Sequence, residues 1–234
     1  MIEVPGTGGP PASFLGSNLK MSLLVKICGL STQSSLEAAI EAGADMVGFV
    51  FFAKSPRHIS LREASALGQH VRGRAAIVAL TVDAHEKAIA GIIDALRPDL
   101  LQLHGNEAPE RIEYLRAKFN LPLMKAVGVA RRADLEAAQA YCAADRLLID
   151  AKAPADATLP GGNGLPFDWH LLEGFASPAP LMLSGGLDAG NVGEAVRVAR
   201  PAGVDVSSGV ERAPGLKDEA MIAAFVRAAR AAAA

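Results

Sequence analysis

Two side chains that can exchange protons with a substrate close separate apolar runs of the sequence. Cys28 ends the run at residues 25–28, and Asp150 ends the run at residues 146–150. A thiolate can accept a proton, and a carboxylic acid in poorly solvated surroundings can donate one. We therefore take Cys28 as a candidate general base and Asp150 as a candidate general acid, a pairing suited to acid–base isomerisation.

The direction of each side chain follows from the two-residue repeat of a strand. Lys26 lies on the same side as Cys28, and its charge is expected to lower the pKa of the thiol from about 8.5 towards neutrality. Burial beneath loops is expected to raise the pKa of Asp150 and keep part of it protonated. The residues alone leave alternatives open: Cys28 as a buried structural thiol, and Asp150 as a loop hydrogen bonder or the partner of Lys152.

Three further polar residues are candidates for contact with a substrate. Gln102 and His104 alternate with leucines, so both are expected to face the site, where they either contact substrate or order the catalytic groups. Arg57 lies in a loop after an apolar run, and its planar fork suits a carboxylate. Simple solvation at the surface is the alternative for Arg57.

Two glycine-bearing turns predict a phosphate site. Gly185 and Gly186 follow the apolar residues 181–183, and Ser208 and Gly209 follow residues 204–206. Backbone N–H groups at such turns, near the N-terminus of a short helix, can bind phosphate. Each turn alone is weak evidence because glycine is common in loops, but the two together indicate a phosphorylated small-molecule substrate.

Composition and missing motifs argue against several other functions. The 234 residues are 50% hydrophobic and 21% charged, with a net charge of −2. This globular composition lacks the basic surface that nucleic acid or a membrane would attract. No GxGxxG, P-loop or HExxH motif occurs, so we expect no nucleotide, metal or other cofactor. Cys142 closes an apolar helical run and is expected to be a small buried thiol.

The elements that must position these residues form a repeating pattern. Eight short apolar runs alternate with eight stretches of helical period, which is typical of a parallel sheet covered by helices. The predicted strands span residues 24–28, 46–51, 75–82, 100–104, 123–128, 146–151, 180–184 and 204–207, and the predicted helices span residues 33–42, 61–71, 85–96, 109–119, 132–142, 167–175, 191–199 and 218–231.

This pattern predicts the α/β class, as a single-domain eight-stranded parallel βα (TIM) barrel rather than an open doubly wound sheet. Reacting groups in such barrels come from the C-terminal ends of the strands, where Cys28, His104 and Asp150 are expected. Gly43 and Gly203 are each expected to end a helix in a left-handed conformation, just before a strand.

The ends of the chain give simpler expectations. Residues 1–20 are rich in glycine and proline, and we expect a disordered extension there, with the catalytic barrel spanning residues 21–234. The N-terminus lacks the basic start and apolar core of a signal peptide, and no apolar run approaches the ~18 residues needed to cross a bilayer. The sequence therefore predicts a cytoplasmic protein, and leaves monomer and homodimer open.

Taken in order, the motifs of the chain resemble those of the phosphoribosylanthranilate isomerase family. They are VKICG at 25–29, GFVF at 48–51, SPR at 55–57, QLHG at 102–105, KAVGV at 125–129, LID at 148–150, FDW at 167–169, LSGGL at 183–187 and DVSSGVE at 205–211. The resemblance covers residues 23–231, and the ordered set is far more specific than any single match.

This resemblance implies a cofactor-free Amadori rearrangement of N-(5-phosphoribosyl)anthranilate to 1-(2-carboxyphenylamino)-1-deoxyribulose 5-phosphate in tryptophan biosynthesis. It implies that Asp150 protonates the furanose ring oxygen and that Cys28 then removes the C2 proton of the sugar. It also implies that Arg57 holds the anthranilate carboxylate and that the two glycine-bearing turns hold the phosphate.

Two alternative functions lead to different expectations. A related phosphate-binding barrel would need other groups: an indole-forming synthase would need a catalytic lysine with carboxylates, and the aminoaldose isomerase of histidine synthesis would need an aspartate where Cys28 stands. A barrel that binds a sugar phosphate without catalysis would need neither Cys28 nor Asp150.

Overall fold

The computed structural model describes residues 23–154, 157, 159–162, 164 and 167–233. In these residues the chain forms a closed barrel of eight parallel strands, each hydrogen-bonded to the next along the chain and the last to the first. The predicted parallel βα barrel is confirmed. The predicted extension at residues 1–20 lies outside the described residues.

The barrel strands are β1 (Leu24–Cys28), β2 (Met46–Phe51), β3 (Ala76–Thr81), β4 (Leu100–Leu103), β5 (Leu123–Val129), β6 (Arg146–Ala151), β7 (Leu181–Leu183) and β8 (Gly203–Val206). The α-helices of the described residues are α1 (Gln33–Glu41), α2 (Leu61–Val71), α3 (Glu86–Leu96), α4 (Pro109–Phe119), α5 (Arg132–Ala138), α6 (Val192–Ala199) and α7 (Glu219–Ala233). A small antiparallel hairpin, β9 (Glu211–Ala213) and β10 (Leu216–Lys217), follows β8.

The alternation of side chains along each strand divides the core into two layers. Val25 and Ile27 of β1 face the helices and belong to the large outer layer. Met46, Met124 and Met182 belong to a smaller apolar cluster inside the barrel. This plug fills the interior beneath the C-terminal ends of the strands, which leaves that end of the barrel to hold polar side chains.

The loop that carries Arg57 is fixed where it enters α2. The Ser60 hydroxyl accepts the backbone N–H of Glu63 at 3.2 Å, and the Glu63 carboxylate accepts the backbone N–H of Ser60 at 2.7 Å. This capping box satisfies two backbone donors that the first turn of a helix would otherwise leave unpaired. The loop therefore ends at a defined point.

Some sequence expectations are wrong in detail. The helix predicted at residues 167–175 is a short 3-10 turn, Trp169–Leu172. Helix α5 is shorter than predicted and is followed by a 3-10 turn, after which Cys142 is exposed instead of buried. Gly43 has the predicted positive φ of +90°, but Gly203 lies within β8, and Arg200 takes the left-handed position after α6.

Among the described residues, no helix combines the length and the apolar character required to cross a membrane.

Candidate active site

A single cavity at the C-terminal ends of the strands gathers most of the predicted site residues. Its lining includes Cys28, Arg57, His104, Asp150, Gly185, Gly186 and Ser208. These residues come from six different strands or the loops that follow them, which is where barrels of this kind carry their reacting groups. The fold therefore brings together residues that the sequence placed at the ends of strands or in the loops after them.

Cys28 shares the barrel interior with a buried ion pair. Lys26 is fully buried, and its Nζ lies 2.9 Å from Oδ1 of Asp205 on the adjacent strand β8. A Cβ atom placed on Gly48 of β2 would lie 3.0 Å from Cys28 Sγ and 3.2 Å from Lys26 Cε. Gly48 therefore leaves the space into which the thiol and the lysine stem both project.

The electrostatic balance at Cys28 differs from the sequence expectation. Burial raises the pKa of the thiol above its ordinary value, and this effect outweighs the lowering by Lys26. Asp205 also raises the pKa of Cys28 and so cancels part of the benefit of the lysine. The predicted shift of the thiol pKa towards neutrality is wrong, because the sequence revealed neither the depth of burial nor the carboxylate partner of Lys26.

Asp205 was missed as a functional residue although a signal was present. It sits between Val204 and Val206, both in the outer apolar layer, so the two-residue repeat places Asp205 inside the barrel with Lys26. A polar residue at an inward position of a strand needs a partner. In the sequence, Asp205 stood at the junction before a strand and at the start of the motif at residues 205–211, but it was assigned no role.

Asp150 is held at the edge of the cavity by two hydrogen bonds. Its Oδ1 accepts the backbone N–H of Ala151 at 2.8 Å, and its Oδ2 lies 3.2 Å from Nε2 of His104. Cβ atoms on Gly161 and Gly185 would lie 2.6 and 3.1 Å from its two oxygens. Glycine at both positions therefore lets the backbone approach the carboxyl group more closely than a side chain would allow.

His104 connects Asp150 to Gln102, which lies deeper in the barrel. The Nδ1 of His104 lies 2.9 Å from Nε2 of Gln102, whose side chain is fully buried. Gln102 was predicted to contact substrate, but it stands behind His104 and does not line the cavity. Its alternative role, to order the groups in front of it, fits this position.

Arg57 is buried, not solvated. Its Nε and Nη2 donate to the two oxygens of Glu211 at 2.7 and 2.8 Å, in the parallel geometry that a guanidinium and a carboxylate favour. Glu211 follows β8 on the hairpin, 154 residues away in sequence. In the sequence, Glu211 appeared only at the end of the motif at residues 205–211 and was assigned no role.

The two glycine-bearing turns lie side by side. Gly185 and Gly186 have φ values of +87° and +62°, a conformation that strongly favours glycine. A Cβ atom on Gly209 would lie 1.9 Å from the carbonyl oxygen of Leu187, so Gly209 is the point at which the second turn packs against the first. Gly185, Gly186 and Ser208 line the cavity, whereas Gly209 supports it from behind.

The described residues contain no cluster of His, Cys, Asp and Glu side chains suited to a metal ion. The cavity combines groups that can transfer protons with groups that can bind anions. A thiol, a carboxyl group, a buried arginine and two adjacent glycine turns share one cavity. Together, this fold and this site define a class of protein: the βα-barrel enzymes that act on phosphorylated small molecules by acid–base chemistry.

Comparison with known proteins narrows the class to one family. Residues 25–228 match the family described as N-(5'phosphoribosyl)anthranilate (PRA) isomerase. The chain is 62% identical over 213 residues to the N-(5'-phosphoribosyl)anthranilate isomerase of Nitrobacter winogradskyi, which covers 91% of this chain and 95% of the relative. It is 61% identical over 212 residues to the enzyme of the same name from Rhodopseudomonas palustris, with 90% and 97% covered.

Solved structures give the same result. The phosphoribosyl anthranilate isomerase of Thermotoga maritima has a TM-score of 0.81 at 35% identity, covering 89% of this chain and 99% of that one. A phosphoribosyl anthranilate isomerase in complex with reduced 1-(o-carboxyphenylamino)-1-deoxyribulose 5-phosphate has a TM-score of 0.79 at 34% identity, with the same coverage. The chain belongs to the N-(5'-phosphoribosyl)anthranilate isomerase family.

Proposed function

We propose that this chain converts N-(5-phosphoribosyl)anthranilate to 1-(2-carboxyphenylamino)-1-deoxyribulose 5-phosphate, with Asp150 as general acid and Cys28 as general base. The activity, an aldose–ketose isomerisation in tryptophan biosynthesis, follows from membership of the family. The two roles are supported by one observation: the thiol and the carboxyl group both line the cavity that the glycine turns border.

The acid step opens the sugar ring. The carboxylic acid of Asp150 gives its proton to the furanose ring oxygen while the bond from that oxygen to C1 breaks. The lone pair of the anthranilate nitrogen then forms a double bond to C1, which leaves a protonated Schiff base and the Asp150 carboxylate. His104, at 3.2 Å from Asp150 Oδ2, orients the carboxyl group and can stabilise the carboxylate that forms.

The base step moves a proton away from C2. The thiolate of Cys28 takes this proton, and the electron pair of the C–H bond forms a C1–C2 double bond as the Schiff base is neutralised. The resulting enolamine gains a proton at C1 and loses the proton of its C2 hydroxyl, which gives the ketone. No atoms are lost and no redox partner is needed.

The raised pKa of Cys28 is compatible with this role. Burial penalises the thiolate more than Lys26 stabilises it, but ring opening brings the positive charge of the Schiff base close to the thiol. An opposite charge at this distance favours the thiolate at the step that uses it. Lys26 favours the thiolate throughout the cycle.

The remaining cavity residues fit the two anionic ends of the substrate. Gly185, Gly186 and Ser208 present backbone at the turns after β7 and β8, the usual phosphate site of barrels. Arg57 faces the same cavity and supplies the cation for the anthranilate carboxylate.

We place the activity in the cytoplasm, because both cysteines of the chain are free thiols, as expected in a reducing compartment.

The proposed activity is tested by forming the unstable substrate in place from anthranilate and ribose 5-phosphate. Its consumption is followed by the loss of anthranilate-type fluorescence. The wild-type chain is expected to accelerate this loss well above the rate without enzyme. A rate equal to the uncatalysed one would reject the isomerase function.

The titration of the Cys28 thiol tests its electrostatic surroundings. In the free enzyme we expect a pKa above the ordinary value of about 8.5, since burial outweighs the effect of Lys26. In Lys26→Met the pKa should rise further, because a charge that favours the thiolate is gone while Asp205 remains. The ultraviolet absorbance of the thiolate, followed against pH in a Cys142→Ala background, measures both values.

The double variant Lys26→Met/Asp205→Asn controls for an unpaired buried carboxylate. Its thiol pKa should lie below that of Lys26→Met alone, because Asp205 itself raises the pKa of Cys28. A wild-type thiol with a pKa below the ordinary value of about 8.5, or a Lys26→Met thiol unchanged from wild type, would contradict this account.

A further inference from the structure

Three buried charges form a connected cluster beside the cavity, which we call the Glu211 clamp: Arg57, Glu211 and Lys217. Arg57 donates twice to Glu211, at 2.7 and 2.8 Å, and Lys217 Nζ donates to Glu211 Oε1 at 2.7 Å. The side chains of all three are at most 7% exposed. Charges removed from water to this degree persist only when they are paired closely.

The hairpin β9–β10 holds the clamp against the Arg57 loop. The backbone N–H of Gly215, in the turn of the hairpin, donates to Glu211 Oε2 at 3.2 Å. Gly215 has a φ of +80°, and a Cβ atom there would lie 2.4 Å from the carbonyl oxygen of Pro56. The turn therefore packs directly on the residue before Arg57 and fixes the distance between Glu211 and the loop.

Lys217 also ties the clamp to the phosphate end of the cavity. Its Nζ donates to the carbonyl oxygen of Ser207 at 2.9 Å and lies 3.2 Å from the Ser207 hydroxyl. That hydroxyl donates to the carbonyl oxygen of Cys28 at 3.1 Å. One lysine thus connects the carboxylate partner of Arg57 to the loop that precedes Ser208.

Direction and charge at Arg57 are set by different members of the clamp. Glu211 engages the Nε and Nη2 edge of the guanidinium, which turns Nη1 towards Gly162, a residue of the cavity lining. Glu211 alone would also cancel the positive charge that an incoming carboxylate needs. The ammonium of Lys217 restores a net charge of +1 to the cluster of two cations and one anion.

Burial lowers the pKa of Lys217 below its ordinary value, and the charge and hydrogen bond of Glu211 oppose this effect and favour the ammonium. Burial alone would raise the pKa of Glu211, but the hydrogen bonds and charges of Arg57 and Lys217 outweigh it and leave the pKa lowered. Glu211 is therefore a carboxylate over the physiological range. Nothing in the proton-transfer steps uses it, so a buried and fully hydrogen-bonded anion remains to be explained.

We propose that Glu211 and Lys217 are positioning residues that set the preference for a carboxylate-bearing ring, Glu211 by aiming Arg57 and Lys217 by keeping its surroundings cationic. This inference rests on the proposed function, because it assigns the ligand of Arg57 as the carboxylate of the substrate. The Glu211 clamp thus determines which ring the site prefers, a role separate from the proton transfers of Asp150 and Cys28.

Two ligands that differ only in the carboxylate test the proposal. They are reduced 1-(2-carboxyphenylamino)-1-deoxyribulose 5-phosphate and its phenyl counterpart, each titrated calorimetrically. The ratio of their dissociation constants measures the carboxylate preference and cancels any change at the phosphate site. Lys217→Met keeps the orientation of Arg57, because Glu211 remains, but it removes the net positive charge of the cluster. Lys217→Met/Glu211→Gln keeps that net charge of +1 but removes the carboxylate that orients Arg57.

Both variants are expected to lower the carboxylate preference at least about tenfold. This is the change expected when a hydrogen bond between two charged groups is weakened or lost. Arg57→Ala gives the carboxylate preference that remains when the guanidinium is absent. Glu37→Gln is the matched control, because it breaks the bidentate pair of Glu37 and Arg74 on the outer surface, and it should leave the preference unchanged. Neither clamp variant leaves a lone buried anion, and thermal unfolding confirms that each is folded.

A preference within twofold of wild type in either clamp variant would overturn the proposal. That result differs from failure of the proposed function. If the isomerase function fails, the wild-type chain shows no turnover and no preference for the carboxylated ligand. If only the clamp proposal fails, the wild-type chain turns over and prefers the carboxylated ligand, and a clamp variant retains that preference.

Discussion

Cys28→Ala is expected to lower kcat at least about 100-fold, the usual contribution of a general acid or base, with the fold intact. Alanine has no group that can take the C2 proton, and the loss of about 2.7 kcal/mol of transition-state stabilisation is independent of substrate binding. KM should therefore stay near the wild-type value. Steady-state kinetics with the fluorescence assay, together with thermal unfolding, measure the two effects.

Cys142→Ala is the matched control for this change. Cys142 is an exposed thiol that does not line the cavity, so its removal should leave kcat within twofold. Cys28→Ser distinguishes size from proton affinity, because the hydroxyl fills nearly the same space but gives up its proton far less readily. Wild-type turnover in Cys28→Ala would remove Cys28 from the mechanism, and wild-type turnover in Cys28→Ser would show that the thiol serves only to fill space.

The sequence predicted the frame of the site because periodicity controls direction. Val25 and Ile27 of β1 lie in the outer layer, with Lys26 and Cys28 on the inner side, as a two-residue repeat requires. Approximate positions for the strand ends were then enough to predict that Cys28, His104 and Asp150 lie at the same end of the barrel, where all three line the cavity. The alternation of inner and outer side chains carries this information, even in strands of only 3 to 7 residues.

The electrostatics could not be predicted in the same way. Asp205 lies 179 residues from Lys26, and Glu211 lies 154 residues from Arg57, so neither partner is a neighbour in any local pattern. Closure of the barrel brings β8 beside β1 and creates both pairs at once. The pKa of Cys28 depends on this closure and on the depth of burial, which is why its expected direction was wrong.

The segment after β6 shows a second limit of sequence patterns. The apolar residues Phe167, Leu171 and Phe175 have helical spacing, yet only a 3-10 turn forms, Trp169–Leu172. These side chains pack partly buried against the outer core, so a single turn already buries them. Gly174, with a φ of +70°, ends the segment before a longer helix can form.

Asp150→Asn is expected to reduce kcat at least about 100-fold and to leave KM nearly unchanged. The amide keeps the size of the carboxyl group and an oxygen for the N–H of Ala151, which donates to Oδ1 at 2.8 Å in the wild-type chain. It has no acidic proton for the ring oxygen, so the cost falls on the transition state of ring opening. Steady-state kinetics in the fluorescence assay measure the loss.

Asp99→Asn controls for the change from carboxylate to amide. Asp99 also accepts a backbone N–H, that of Ile77 at 2.7 Å, but it lies just before β4, at the opposite end of the barrel from the cavity. Its replacement should leave kcat within twofold, so a large loss confined to Asp150→Asn assigns the effect to proton donation and not to a lost backbone contact. If Asp150→Asn instead keeps more than about a tenth of the wild-type kcat, an acid other than Asp150 opens the ring.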